Sequence, residues 1–528
     1  MNMKKYILGI VGFSMLTLSA CEKPFEALEQ DPNRAVHVPA SLVLQGIEYN
    51  MFYDNGVPFS AEMRWNQFYC SNYNYYANNE YTWTSFKDQY ATLKNVVKME
   101  EEAKRAGLPA VNAYAALGKF FRAYFFDQMS KRAGDLPMND ALKGIENTTP
   151  VYDSQKAIYV QILKWLDDAN SDLASLIAAG TTMTGDFYYG GDLKKWQKAV
   201  NAMRLRTLIT LSKKESDTDL GVKAKFAEMI GNPTKYPLFT SMSENLEFKY
   251  NNFNKYPSNP DNFGFDATRQ NMSKAYVEPL SKMNDPRVMV TCEPAGFELK
   301  SGKKPSDYTA YVGASSAEDL ADMSSKAGVD NGAGFAPGKY SFQSRSRYYK
   351  NYTAENTFIL GYPELCFNIA EGIARGWAPG NAEDWYKKGI QASMGFYGIK
   401  EGTNTMYYSK NGSKEAADQI AYSVDFNFDT YYNQELVKLS TAKAVEQIVT
   451  QKYLAFFMNS GMEGYFNWRR TGFPTLYTGV GNGNSGRIAL RWQYPYTERT
   501  INKTNYAASL ASQFAGKDDI NDQIWLIK

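Results

Sequence analysis

A single histidine, His37, stands in a chain of 528 residues, so chemistries built on imidazole are closed to it: a Ser-His-Asp triad, a Cys-His dyad and a multi-histidine zinc site. What remains is carboxylate chemistry, in which a glycosidase holds two acids across a scissile bond. The pairs Asp167-Asp168 and Asp518-Asp519 are wrongly disposed for it, because adjacent helix residues point apart. The glycine-rich runs Gly332 to Lys339 and Gly479 to Gly486 lack the phosphate-loop order ending in Gly-Lys-Ser/Thr. No EF-hand spacing is present, and no cofactor is implied. Lys and Arg number 58 against 56 Asp and Glu, a net charge of +2, so no global field draws in nucleic acid. Aromatic residues make up 15% of the chain, with 39 tyrosines. Tyrosine joins a flat apolar face to a hydroxyl, which suits a ligand that is both flat and hydroxylated.

Sugars have that character, and a site for them needs aromatic platforms edged by Asn, Asp, Gln or Arg. The densest such stretch runs from Arg64-Trp65-Asn66 through Tyr73, Tyr75 and Tyr76 to Trp83. Trp65, Asn66, Tyr73, Tyr75, Tyr76 and Trp83 are the expected ligand contacts, with Arg64 as a hydroxyl donor. The spacing of Trp65 and Phe68 equally suits a buried helix face. A second contribution is expected from the middle loops: Asn262, Phe263, Arg269, Arg345, Arg347 and Tyr348. In Ser344-Arg345-Ser346-Arg347 an extended backbone would put both guanidiniums on one face. Paired donors of that kind read a carboxylate, whether on an acidic sugar or a peptide terminus. The alternative is a pair of surface arginines bridging to loop carbonyls.

The elements that must position these residues are helical. Leu42 to Met51, Phe86 to Arg105, Ala110 to Arg132, Asp153 to Ala179, Leu193 to Lys214, Tyr362 to Trp377, Asn381 to Tyr397 and Thr441 to Asn459 carry apolar residues at spacings of three and four. They predict a mainly α fold of about four helical pairs of tetratricopeptide type. Long irregular stretches lie between them, at residues 55–85, 233–269, 292–357 and 471–505, and these are expected to carry the ligand face. Before the helices, residues 1–20 read as an export signal, with Lys4-Lys5 ahead of an apolar run too short to span a bilayer. Leu18-Ser19-Ala20-Cys21 has the form of a lipobox, which predicts lipidation of Cys21. Residues 21–40 then read as a tether and 41–528 as one helical domain. Cys70, Cys292 and Cys366 remain, an odd set that implies no disulfide framework.

The chain resembles the SusD-like (RagB/SusD) lipoproteins. The resemblance rests on the lipobox followed by Asp31-Pro32-Asn33, then Gly134-Asp135-Leu136-Pro137-Met138, Pro150-Val151-Tyr152-Asp153, and Tyr189-Gly190-Gly191-Asp192 with Trp196, Asn201, Leu205 and Arg206. It continues through Asn284-Asp285-Pro286-Arg287, Tyr362-Pro363-Glu364, Ala370-Glu371-Gly372, Trp468-Arg469-Arg470-Thr471-Gly472-Phe473-Pro474 and Tyr494-Pro495-Tyr496-Thr497-Glu498. It implies a SusD-like fold and a non-catalytic protein lipid-anchored at the outer membrane and facing the cell exterior. Such a protein binds oligosaccharide and passes it to a SusC-like TonB-dependent transporter. A peptide or other nutrient is the alternative ligand. One departure concerns surface export: acids after the lipidated cysteine are present only as Glu22 and Glu26, separated by Lys23-Pro24.

Overall fold

Asn112, Ser154 and Asp192 each end an extended segment and open a helix. Their side chains accept the orphan backbone N–H groups of Ala115, Ala157, and Lys194 with Lys195. Ahead of Asp192 the chain turns through Gly190 and Gly191, both at positive φ (65° and 87°), and a Cβ on Gly191 would lie 2.3 Å from the Met183 carbonyl oxygen. Glycine is therefore required there. The computed structural model describes residues 37–54, 56–75, 77–328 and 338–528. The export signal, Cys21 and the tether as far as residue 36 lie outside the described residues, as does Tyr76.

The scaffold includes the helices α1 (Ala40–Tyr53), α2 (Tyr90–Arg105), α3 (Ala113–Ala133), α4 (Gln155–Ala178), α5 (Leu193–Thr210), α6 (Tyr362–Ala374), α7 (Ala382–Phe396), α8 (Ala444–Ala455) and α9 (Glu463–Thr471). Each packs on the next along the chain, except that α8 lies against both α6 and α7. This neighbour-on-neighbour order matches the expected mainly α scaffold. Among the described residues the strands form three antiparallel pairs: β1 (Tyr69–Ser71) with β3 (Gln270–Met272), β2 (Leu246–Phe248) with β4 (Thr357–Leu360), and a hairpin of β5 (Gly402–Ser409) and β6 (Gln419–Phe426). Cys70, Cys292 and Cys366 are buried and unbridged. Among the described residues no helix is long and apolar enough to cross a membrane.

Buried charge joins the helices. Lys131 of α3 lies 2.6 Å from both Asp127 and Glu463 of α9. Arg206 of α5 donates to Glu364 of α6 and sits 4.0 Å from Glu463. Glu371, also on α6, receives Arg470 of α9 and Lys452 of α8, and Asn368 connects Lys452 back to Glu364. The guanidiniums and neighbouring ammonium hold the Glu371 carboxyl well below the usual carboxylate range despite its burial.

Aromatic stacking closes the core where residues 64–85 cross the C-terminal segment. Trp83, 5% exposed, lies flat on Trp492 at 3.6 Å between ring centroids, and Trp65 and Tyr465 meet the pair edge-on. Trp83→Ala should cost about 3–5 kcal/mol of stability, the range for large aromatic truncations in a core, measured by denaturant unfolding. A loss below about 1 kcal/mol would contradict that placement.

A second test concerns Glu48 of α1. Its carboxylate accepts from the Phe187 N–H at 3.0 Å, beside Asp186, which anchors the 186–191 turn through four donors: the N–H groups of Tyr188, Tyr189 and Gly191 and the Trp196 indole. Burial, reinforced by the Asp186 charge, pushes the Glu48 carboxyl up to about 10. The folded state then holds a proton that the unfolded chain releases above about 4.5. The contribution is complete below that pH and is lost as pH rises toward 10, at up to about 1.4 kcal/mol per pH unit. Glu48→Gln should therefore unfold with a flatter pH dependence between 5 and 10; identical slopes in the two proteins would refute the assignment.

Candidate functional site

The segment from Arg64 to Trp83 divides into a buried part and an exposed one. Asn66, expected on the ligand face, is fully buried: its amide donates to the carbonyls of Glu62 and Gly461 at 2.9 Å, and its side-chain oxygen accepts the Tyr465 N–H. Trp65 gives its indole N–H to the Glu80 carbonyl at 3.1 Å, and Trp83 belongs to the tryptophan stack. These three are corrected from ligand contacts to packing residues, because their rings and amide are spent on the body of the protein. Arg64 is half-buried and donates to the Asn78 carbonyl and the Tyr69 hydroxyl. Tyr73 and Tyr75 are 40% and 80% exposed, with ring centroids 6.4 Å apart, and the Arg269 guanidinium lies 4.6 Å above the Tyr73 ring. Pairing of β1 with β3 brings this about, since the Arg269 carbonyl accepts the Asn72 N–H at 3.0 Å. Of the candidates in the first segment, these two tyrosines stand at the surface beside an arginine.

The middle loops depart further from expectation. Arg345 to Tyr348 is a turn of helix rather than an extended strand, so the two guanidiniums do not share a face. Arg345 is buried, donating to the carbonyls of Gln343 and Ala267 and packed over the rings of Phe263, Phe342 and Tyr349. Arg347 donates to Glu355 at 2.6 Å and lies over the Tyr397 ring at 4.8 Å. Tyr348 is fully buried against Tyr256 and Phe59. Asn262 closes a turn by accepting the Asn259 N–H and donating to the Pro257 carbonyl. Phe263 is half-buried, edge-on to Tyr349 at 5.2 Å.

Those loops nevertheless border an open cleft. It has a volume of about 790 Å³ and lies between β5 of the hairpin, the 346–350 turn and the segment from Tyr397 to Lys400, a size typical of small-ligand sites. Tyr407, Thr403 and Thr405 stand exposed along it with Ser346 and Gln419 half-buried beside them, while Tyr349, Tyr397 and Asn404 are buried in its wall. Tyr407 is 47% exposed, so its ring is available to a ligand. None of the β5 residues was among the sequence candidates. Their signal is a period-two pattern, with Thr403, Thr405 and Tyr407 outward and Asn404 and Met406 buried. Behind the cleft wall the Gln343 amide donates both to Gln270 of β3 at 3.2 Å and to the Tyr349 hydroxyl at 2.6 Å. Among the described residues no group of three or more His, Cys, Asp or Glu is arranged to hold a metal ion.

Residues 32–495 match a family model described as starch-binding and associating with the outer membrane. Among solved structures, a SusD homologue from Bacteroides fragilis is 28% identical with a TM-score of 0.78, covering 93% of this chain and 100% of its own. A Bacteroides vulgatus outer-membrane protein with a suggested role in nutrient binding is 29% identical with a TM-score of 0.76 and the same coverage. A chitin-binding SusD homologue from Flavobacterium johnsoniae shares the fold at 18% identity, with a TM-score of 0.67, over 92% of this chain and 98% of its own. No curated protein matches the chain. With a family model spanning nearly its whole length and the same helical scaffold in these structures, the chain belongs to the SusD-like family.

Proposed function

We propose that this protein captures oligosaccharides at the cell surface, without cleaving them, and delivers them to a SusC-like TonB-dependent transporter in the outer membrane, to which Cys21 anchors it by lipid. The observation that carries the reading is the cleft, where the exposed Tyr407 ring stands beside the hydroxyls of Thr403 and Thr405 in a member of a starch-binding family. The exposed Tyr73 and Tyr75 with Arg269 extend that surface and suit a chain of several sugar rings. Arginines that would have favoured a peptide terminus are buried or paired, so they lend that alternative no support.

A glycan array followed by calorimetry on the hits tests the reading. Tyr407→Ala and Tyr75→Ala should each weaken binding about tenfold, or roughly 1.4 kcal/mol, with no change in the unfolding midpoint and with the glycan recovered intact. Wild-type affinity in both variants would place the site elsewhere. In cell fractionation, Cys21→Ser should move the protein out of the outer-membrane fraction; unchanged partitioning would rule out the lipid anchor.

A further inference from the structure

We propose that the hairpin cleft selects oligosaccharides carrying carboxylate or sulfate groups, an inference that rests on the reading of this cleft as the glycan site. The chain as a whole is nearly neutral, yet Arg347, Lys350, Lys400 and Lys414 line the cleft against a single carboxylate, Glu415. The lysines come from three separate places: the end of the 345–350 turn, the approach to β5, and the tip of the hairpin. Their convergence is a product of the fold and not of one basic run.

The other charges nearby are already engaged. Glu355 takes Arg347, Asp261 takes Lys255 and the Tyr352 hydroxyl, Asp425 takes Thr403, and Glu401 takes the Asn427 amide and the Phe428 N–H. Lys414 donates to the Pro260 carbonyl at 3.1 Å and leans over Phe263. Lys350 and Lys400 are exposed and have no ion pair among the described residues, so their charges stand open to the cleft. A lysine ammonium is a compact point charge that meets an anion without the planar matching a guanidinium requires. In a cleft walled by low-dielectric protein, two such charges concentrate anions more strongly than they would on a flat surface. Tyr407 and the threonines of β5 then contact the sugar ring while the lysines meet its acidic substituent.

Calorimetry on the full chain with a tetragalacturonate, a sulfated chondroitin tetrasaccharide and a neutral galactose tetramer tests this. At least one acidic probe should bind about tenfold or more tighter than the neutral one, with affinity falling between 20 and 500 mM salt, as screening of exposed charges requires. The double variant Lys350→Ala/Lys400→Ala should lose about tenfold for the acidic probe while neutral binding moves less than twofold. Both sites are exposed, so the fold is not at risk. Neutral binding as tight as acidic would overturn the charge selection and leave the glycan reading standing. Acidic binding undiminished in the double variant would overturn the assignment to these lysines. Failure of every glycan in a broad panel to bind the folded protein would overturn the glycan reading, and this inference with it.

Discussion

The buried charges of the helical core meet their counter-charges in only one arrangement of the helices. Lys131, Arg206, Lys452 and Arg470 face Asp127, Glu364, Glu371 and Glu463 from five helices, all of them buried. Removing such groups from water costs several kcal/mol per ion, repaid only with good geometry and additional hydrogen bonds. Sliding α6 or α9 by a turn would leave Glu371 or Glu463 buried without its cation. The ladder's contribution is therefore register more than net stability: it fixes how α3, α5, α6, α8 and α9 sit, while the apolar faces supply the burial.

That register determines where the irregular segments emerge. The Asp285–Arg287 pair extends the arrangement, bonding Ser393 of α7 and Gln451 of α8, and α7 leads directly through Tyr397 into the rim of the cleft. The hairpin is fixed to the body at its turn end by Glu293, which accepts the Ser409 N–H with one oxygen and the Arg345 N–H with the other. Arg345 thus acts as an internal strut, holding the floor on which a ligand would rest.

The helices were legible because their signal is local. Apolar residues at spacings of three and four placed most helix ends within about four residues of where they lie. The site was legible only in part. Aromatic density identified the 64–83 segment, but density does not distinguish a ring facing water from one stacked on a partner. Trp83 is buried because Trp492, at the far end of the sequence, lies flat upon it, and no local pattern announces that partner. Arg345 failed as a ligand residue for a similar reason, since one of its two acceptors is the Ala267 carbonyl in a loop distant along the chain. The β5 strand is a different kind of omission: its two-residue alternation is plain in Thr403-Asn404-Thr405-Met406-Tyr407, but it lies between two helices in a stretch that carries no helical spacing and matches none of the expected loops.

The hairpin shares no hydrogen bond with the buried charge ladder among the described residues. Specificity and foldability are consequently encoded in separate sets of positions. Substitutions at Tyr407, Lys400 or Lys414 can accumulate without drawing on the margin of stability held by the helices, so over evolutionary time the hairpin behaves as an exchangeable cassette. A lineage could retune what the cleft accepts by rewriting some two dozen residues while the helical body is left as it is.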